Sequence, residues 1–434
     1  MEFEFPLRAL RARNYRLFFS GQSVSLIGTW MTRVATAWLV YRLTGSAVLL
    51  GVVSFCGQIP AFFLAPLAGV WVDRWNRHRT LIVTQALSMA QSFALAALAL
   101  SGVIRAWEIL ALALFQGLIN AFDMPARQAF VIQMVERRED LGNAIALNSS
   151  MVNAARLAGP AIAGVIIAAV GEGWCFLIDG VSYMAVIASL IAMRVTVSQA
   201  RAPRHRALAE FTEGWDYVRK SKAIRALLML LALVSLMGMP YTVLMPIFAS
   251  RIFHGGPNTL GFLMSASGLG ALAGAILLAM RKSVLGLGRR IVLSAALFGG
   301  ALIAFALCRS FWLALLILPF VGFGMMQQMA STNTILQTIV DDDKRGRVMA
   351  YYAMAFQGMA PFGSLWAGAA TAKIGAPATI VIAGSLCVAG AAWFASQLSE
   401  IRTLVRPIYV RLGILPEAAL GVERASELEL ESGP

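Results

Sequence analysis

Long apolar stretches recur along the whole of this 434-residue chain, and they constrain its fold more than any other feature. Each is about 20 residues or longer, enough for a helix to cross roughly 30 Å of hydrocarbon. They are continuously apolar, unlike transmembrane β-strands, which alternate over about ten residues. The sequence therefore predicts an all-α polytopic membrane protein with twelve transmembrane helices, at residues 15–43, 46–72, 80–101, 107–135, 144–170, 174–194, 225–250, 258–280, 291–308, 311–340, 348–372 and 377–398.

Charge is scarce in this chain and unevenly placed. Only 13% of the residues are charged, about half of the quarter that is typical of soluble proteins. Most of the 36 basic residues lie in the loops on one side of the predicted spans, as is expected of cytoplasmic loops. The net charge of +14 therefore indicates a topology with both termini in the cytoplasm, and no nucleic-acid partner is expected.

The spans form two sets of six. We expect a cytoplasmic N-terminal segment (1–14), an N-terminal six-helix bundle (15–194), a cytoplasmic linker (195–224), a C-terminal six-helix bundle (225–398) and a disordered cytoplasmic tail (399–434). Glycines recur at one constant separation in the two halves, which pairs Gly142 with Gly346, Gly159 with Gly363, Gly164 with Gly368, Gly171 with Gly375 and Gly180 with Gly384. This repeat predicts pseudo-symmetric halves with a substrate site between them.

The linker contains an amphipathic pattern. Its apolar positions have helical spacing, and its charged positions take the opposite face: Leu208, Phe211, Trp215 and Val218 against Glu210, Glu213, Asp216 and Arg219. Such a helix is expected to lie at the cytoplasmic membrane surface. Binding of a partner protein is the alternative.

A dense charge cluster follows the second span, in the stretch LAGVWVDRWNRHR (67–79). Gly69 lies one helical turn before Asp73, so a neighbouring helix can approach closely there. Asp73 can accept hydrogen bonds from a helix N-terminus or an arginine. Arg77 and Arg79 can bind carboxylates or the phosphates of cytoplasmic-leaflet lipids.

These residues resemble a known signature. Gly69, Asp73, Arg74, Arg77 and Arg79 are similar to the loop 2–3 motif of the major facilitator superfamily, except that Asn76 replaces a glycine and His78 takes a commonly basic position. Asparagine tolerates the left-handed conformation of such a glycine, so the turn is expected to survive the change. The stretches 13–46, 123–130 and 148–164 resemble the bacterial efflux branch that contains the enterobactin exporter and macrolide-efflux proteins.

The resemblance implies a transporter that alternates between inward-open and outward-open states. The loop 2–3 cluster would then be a cytoplasmic gate in which Asp73 meets the start of span eleven, near Arg347 and Val348. A solvated charge run that only sets topology is the alternative.

Ionisable groups at membrane depth are costly and mark functional sites. Asp123 lies four residues before Arg127, the spacing at which helical side chains meet, with Pro125 between them. Asp123 is either a proton-binding carboxylate or half of a static ion pair with Arg127 or Arg77. Asp179 is the second proton-coupling candidate, although its place near the outer helix end suggests access to water.

Two more arginines, Arg33 and Arg156, lie at membrane depth. Either could bind an anionic substrate such as a catecholate siderophore or a lipid phosphate, or pair with an aspartate. Arg156 precedes Gly159, Pro160 and Gly164, a run that partly resembles the antiporter signature of span five. The family likeness further implies a cavity lined by spans one, four, seven and ten, whose polar residues are Gln22, Gln116, Asn120, Tyr241, Gln327, Gln328 and Asn333.

The sequence lacks the motifs of several common enzyme classes. There is no G-x-x-x-x-G-K-[ST] phosphate loop, no H-E-x-x-H and no G-x-S-x-G,. The four cysteines lie singly in different spans, so neither a metal nor another cofactor is expected.

The sequence thus predicts a secondary transporter of the bacterial inner membrane, a monomer that exports small amphipathic, siderophore-like or drug-like molecules in exchange for protons. A transporter of lysophospholipid or lipid-like molecules is the alternative. A sensor or scaffold without transport activity is another.

Overall fold

The computed structural model describes residues 7–135, 137–194, 207–281 and 283–415. These residues form α1 (Arg13–Thr44), α2 (Ala47–Arg74), α3 (Arg77–Leu100), α4 (Ala106–Met134), α5 (Leu141–Val170), α6 (Glu172–Ala192), α7 (Ala207–Lys220), α8 (Lys222–Leu233), α9 (Tyr241–Ile247), α10 (Pro257–Ala279), α11 (Leu287–Leu307), α12 (Phe311–Ile339), α13 (Arg345–Ala353), α14 (Met359–Ile374) and α15 (Ala376–Arg411). The described part of the chain is all-helical apart from its connections, as predicted.

Ten helical segments in the described residues are long and apolar enough to cross a membrane. One of them, Lys222–Ile252, joins α8 and α9 through a π-helical turn and ends in another. The two remaining predicted spans, 15–43 and 348–372, are also helical. The span 15–43 is α1, which has the more polar composition of the two. The span 348–372 is α13, which continues through a π-helical turn into α14.

The repeated glycines play matching roles in the two halves. Gly171 ends α5 and Gly375 ends α14, each with a positive φ that favours glycine,. Gly164 of α5 packs against the backbone of α10, and Gly368 of α14 packs against the backbone of α2. The matching positions confirm two pseudo-symmetric halves.

The halves meet along two seams, α2 with α14 and α5 with α10. In the first seam, the hydroxyls of Ser54 and Ser364 are 3.1 Å apart. The ring of Phe362 lies 5.9 Å from that of Phe55 and 5.7 Å from that of Phe62, both in edge-on geometry. Small hydroxyl and glycine positions bring the backbones together, and the aromatic rings fill the space beyond them.

The linker helix α7 packs against the C-terminal half. Val218 is buried, but Trp215 is 52% exposed and its ring lies 5.9 Å from that of Tyr351. The side chains of Leu208, Glu210 and Phe211 lie outside the described residues. Asp216 and Arg219 on the opposite face are exposed, and the placement of the helix at the cytoplasmic membrane surface stays a prediction.

Charge pairs fix α7 in this position. The Glu213 carboxylate lies 2.9 Å from the Lys344 ammonium and 2.8 Å from the Arg347 guanidinium. The hydrogen bond from Lys344 is the main cause that lowers the pKa of Glu213. The Tyr217 hydroxyl donates to Asp341 at 3.2 Å. One side of α7 thus contacts the connection between α12 and α13, although the Glu213 side chain stays 54% exposed.

The predicted disordered tail begins as helix. Helix α15 continues to Arg411, well past the expected end of the last span at residue 398. Ile401 and Val405, one turn apart, are buried, and Arg411 lies 3.1 Å from Asp341. The apolar spacing therefore continues the helix against the bundle, a signal that the charged composition of this stretch obscures. The acidic end of the tail lies outside the described residues.

Candidate functional site

The two most deeply buried carboxyl groups of the described residues are Asp123 on α4 and Asp179 on α6, which are 2% and 1% exposed. Both contact α3, which presents a stripe of buried polar residues at helical spacing: Thr84, Gln85, Ser88, Gln91 and Ser92. This stripe is not among the functional residues predicted from the sequence. The signal that identifies it is a polar period of three to four residues within an apolar span.

Asp123 has a full set of partners. The Arg127 guanidinium binds its Oδ2, as the spacing of four residues predicts. The Thr84 hydroxyl and the Gln85 amide donate to its Oδ1 at 2.9 Å and 2.8 Å. Three donors on one carboxylate stabilise its charged form and hold it in place.

Asp179 is bonded differently. The hydroxyls of Thr32 and Ser92 both donate to its Oδ2, at 2.8 Å and 2.9 Å, while its buried Oδ1 has no hydrogen-bond partner in the structure. Gly28 lets α1 approach, because a Cβ there would lie 2.7 Å from that oxygen. The expected access of Asp179 to water is wrong, since the group is sealed between α1, α3 and α6.

Arg33 and Arg156 come together on one aromatic ring. Their Cζ atoms lie 4.7 Å and 5.8 Å from the ring centroid of Trp30, and both side chains keep accessible surface. Arg156 also lies 3.8 Å from the sulfur of Met325 on α12, in the other half. The expected pairing of either arginine with an aspartate is not what the described residues show, as no carboxylate among them lies within 4 Å of either guanidinium.

The cavity residues predicted in the N-terminal half make contacts within that half. The Gln116 amide donates to Ser88 at 3.1 Å and to Asn120 at 3.2 Å. Gln22 is buried in α1. The Gln116 bond adds α4 to the polar stripe of α3, between Asp123 and Asp179.

The corresponding residues of the C-terminal half are also engaged or buried. The Tyr241 hydroxyl lies 2.6 Å from that of Ser267, and the Gln327 amide donates to the Gly274 carbonyl at 2.6 Å. Gln328 is buried, with an unpartnered Nε2. Asn333 accepts from Gln337 at 3.0 Å. Tyr241 and Gln327 therefore join α9 and α12 to α10, whereas the Asn333 bond lies within α12.

A cavity of about 400 Å³ lies at the end of the bundle that carries the α1–α2 and α14–α15 turns. This is the outer end in the predicted topology. Tyr41 and Arg251 are among its lining residues, and the Arg251 guanidinium lies 5.8 Å from the Tyr41 ring centroid. None of the predicted cavity residues lines it. The contact joins α1 to the seventh spanning segment at this end.

The loop 2–3 cluster is only partly described. The side chains of Asp73 and Arg74 lie outside the described residues, so the predicted gate contact of Asp73 stays a prediction. In this conformation Arg347, its expected neighbour, lies against Glu213 of the linker helix. Arg77 and Arg79 begin α3.

Asn76 and His78 explain how this loop tolerates its departures from the signature. Asn76 has an extended backbone, with φ of −71°, and its side chain caps α3 by accepting from the Arg79 amide at 3.1 Å,. Asn76 therefore does not use the left-handed conformation that asparagine tolerates. His78 lies 2.7 Å from the Leu190 carbonyl of α6 and stacks near Phe130, so it has a packing role.

The helix-five motif forms the second seam between the halves. A Cβ on Gly261 of α10 would lie 2.5 Å from the Pro160 carbonyl and 3.0 Å from the Cα of Gly164. Gly159 faces α1, where a Cβ would lie 2.5 Å from the Cβ of Trp30. The motif therefore lets α5 touch both its own half and the opposite one at backbone distance.

Substituting Gly261→Val should disrupt this seam. The opposing atoms are backbone and cannot rotate away, so we expect a loss of about 1–3 kcal/mol in stability and a loss of most transport. Thermal unfolding and export by the purified variant measure both effects. Gly300→Val is the matched control, because a Cβ there meets nothing within 4 Å. Equal behaviour of the two variants would contradict the seam.

Comparison with known proteins agrees with this geometry. Residues 5–407 match the family model described as transmembrane secretion effector. The staphyloferrin A transporter of Staphylococcus aureus is 27% identical over 394 residues, covering 89% of this chain and 97% of that protein. The multidrug efflux pump Tap of Mycolicibacterium fortuitum is 26% identical, covering 88% and 95%. Macrolide efflux protein A of Streptococcus pyogenes is 24% identical, covering 90% and 98%.

Solved structures show the same fold at low identity. A peptide transporter of the POT family superposes with a TM-score of 0.73 at 12% identity, covering 90% of this chain and 95% of its own. A bacterial homologue of the human lysosomal transporter Spinster, in an inward-facing and unoccupied conformation, has a TM-score of 0.67 at 12% identity, covering 92% and 98%.

Proposed function

This chain belongs to the transmembrane secretion effector family of the major facilitator superfamily, and from that premise we propose that it exports a small amphipathic molecule in exchange for protons. It is a multi-pass membrane transporter of the efflux type and not an enzyme. Beyond this family-level function, we propose that protons drive transport and that the substrate is siderophore-like or drug-like. We also propose that the protein is a monomer of the inner membrane with both termini in the cytoplasm.

The observation that carries proton coupling is the environment of Asp179. A carboxyl group at membrane depth without a directly bonded cation is a candidate to gain and lose a proton during transport. One oxygen of Asp179 is buried and unpartnered, and the other accepts only from two hydroxyls. Asp123 is the weaker candidate, because Arg127 and two further donors already satisfy its charge.

The polar stripe of α3 supports the same assignment. It runs from Thr84 and Gln85 at Asp123, through Ser88 at Gln116, to Ser92 at Asp179. Buried polar side chains are expensive in a membrane protein and are kept where they bind each other or an ion. A continuous stripe between two carboxyl groups gives a proton a succession of polar neighbours across the N-terminal half.

The two seams between the halves and the contacts at the two ends of the bundle support alternating access of the substrate site. Glycine contacts along α2–α14 and α5–α10 bring the halves together at backbone distance, and we propose that the halves rock against each other there,. The contact of Arg251 with Tyr41 would open in the outward-facing state. In that state Asp73 would take its place beside Arg347, with Gly69, Arg74, Arg77 and Arg79 completing the cytoplasmic gate.

Everted membrane vesicles test the proposal. We expect vesicles that contain the protein to accumulate at least one member of a panel of siderophores, macrolides, lipophilic cations and lysophospholipids when their lumen is acidic. Nigericin, which collapses the pH gradient, should abolish the accumulation. Vesicles without the protein are the control. Accumulation that nigericin leaves unchanged would contradict proton coupling, and accumulation of lysophospholipid alone would replace the substrate class by lipid-like molecules.

A further inference from the structure

We propose that Arg33 and Arg156 together bind the anionic groups of the exported substrate, a small molecule that carries at least two carboxylates or equivalent negative groups. The inference rests on the proposed export function and names the chemical class of its substrate. It starts from the convergence of two intramembrane guanidinium groups from different helices on a single ring, that of Trp30.

Close packing of α1 against α5 forms this site. Trp30 and Arg33 lie one turn apart on α1, and Arg156 reaches the same ring from α5. Gly159 has no side chain at the point where α5 meets Trp30, and a Cβ there would lie 2.5 Å from the Cβ of Trp30. The close helix contact thus brings two cations to one aromatic surface, which cation–π attraction supports.

Neither arginine of this site is directly paired with an acid. Two other arginines of the N-terminal spans are paired: Arg127 binds Asp123, and Arg42 lies 2.7 Å from Glu172. Arg33 and Arg156 have no acid of the described chain within 4 Å; Asp179 attracts Arg33 only at longer range, and its bonded oxygen is occupied by hydroxyls. Two cations at membrane depth without a directly bonded acid are costly, so an anion that binds both stabilises them.

The position of Arg156 suits a substrate rather than a lipid at the rim. Its guanidinium lies 3.8 Å from Met325 on α12, and its backbone carbonyl would lie 2.9 Å from a Cβ on Gly268 of α10. Arg156 therefore sits at the boundary between the halves, where an alternating-access transporter holds its substrate. A guanidinium fork binds a carboxylate through two parallel hydrogen bonds, which an ammonium cannot do.

Two dyes with the same ring system and opposite charge test the inference. Carboxyfluorescein carries carboxylates on a xanthene, and rhodamine 6G is a xanthene cation. Binding of each to the purified protein is measured by fluorescence anisotropy, and transport of each is measured in everted vesicles. We expect carboxyfluorescein to bind the wild-type protein more tightly. Arg33→Gln and Arg156→Gln should each weaken that binding by about tenfold or more.

Matched variants separate charge recognition from damage to the fold. Arg16→Gln removes one positive charge from the same helix at an exposed position and should leave binding unchanged. Arg33→Lys and Arg156→Lys keep the charge and should retain part of the affinity, and thermal unfolding verifies that each variant is folded.

The outcomes distinguish this inference from the proposed function. Loss of carboxyfluorescein binding in both glutamine variants, with Arg16→Gln intact, supports the site. Transport of rhodamine 6G without binding of carboxyfluorescein would leave export standing and overturn the anionic substrate class. Binding of carboxyfluorescein that neither glutamine variant weakens would overturn the assignment of the two arginines. Tight binding without transport into energised vesicles would instead contradict the export function while leaving the site intact.

Discussion

Asp179→Asn is expected to abolish proton-driven accumulation of substrate while leaving the protein folded. The asparagine carbonyl can accept the hydrogen bonds from Thr32 and Ser92 in place of Oδ2. Its amide then occupies the position of Oδ1, which has no partner to lose. What the substitution removes is the ability to bind and release a proton. In everted vesicles with an acidic lumen we expect accumulation to fall to the level of vesicles without the protein.

A second readout separates coupling from transport itself. Exchange of labelled for unlabelled substrate across the membrane, with no pH gradient, needs alternating access but no net proton movement. We expect Asp179→Asn to retain exchange at a rate within about threefold of the wild-type rate, since its polar contacts are kept. Asp123→Asn is the matched control and should remain proton-driven. If the control loses coupling and Asp179→Asn keeps it, the assignment of the proton site is reversed.

The sequence was sufficient for the helices and the family but not for the choice between the two carboxyl groups. Continuous apolar runs placed the spans to within a few residues, because membrane thickness sets their length. The spacing of Asp123 and Arg127 predicted their contact, because that contact is local to one helix. Whether Asp123 has further donors depends on Thr84 and Gln85, which reach it from α3. No local pattern carries that information.

Long-range packing also determines what two helices outside the bundle contact. Helix α7 has the periodicity of a membrane-surface helix, yet Glu213 binds Lys344 and Arg347, which are distant in sequence. The stretch after residue 398 has the charge of a solvated tail, yet Ile401 and Val405 bury one of its faces. In both cases the local pattern specified a helix correctly, and only the fold determined what the helix packs against.

The convergence of Arg33 and Arg156 on one ring is likewise determined by long-range packing. Each is recognisable in the sequence as an intramembrane charge, and each was expected to find an aspartate or a substrate. Among the described residues neither arginine forms a direct ion pair with an aspartate, because Asp123 binds Arg127 and Asp179 binds hydroxyls. Asp179 acts on Arg33 only at longer range. Whether an intramembrane arginine is available to bind substrate therefore depends on which acids other helices have already paired.

Arg127→Gln is expected to destabilise the protein far more than Asp123→Asn does. Removing the cation leaves a carboxylate that is 2% exposed without its charged partner, a change that costs about 3–5 kcal/mol. Asp123→Asn removes the buried charge itself and retains an acceptor for Thr84 and Gln85, so we expect a loss of about 1 kcal/mol. The free energy of unfolding in mixed detergent micelles, measured for both variants and for the double variant, gives the comparison.

The double variant decides what kind of site Asp123 forms. If the pair is structural, the double variant should be more stable than Arg127→Gln alone, because no charge is then buried without a partner. The exposed pair of Lys222 and Glu400 is the control, where Lys222→Gln should change stability by less than about 1 kcal/mol,. Additive effects at Asp123 and Arg127 would mean that the carboxyl group is already neutral in the folded protein. In that case Asp123, and not only Asp179, would hold a proton at rest, and the polar stripe of α3 would connect two proton sites instead of one site and an ion pair.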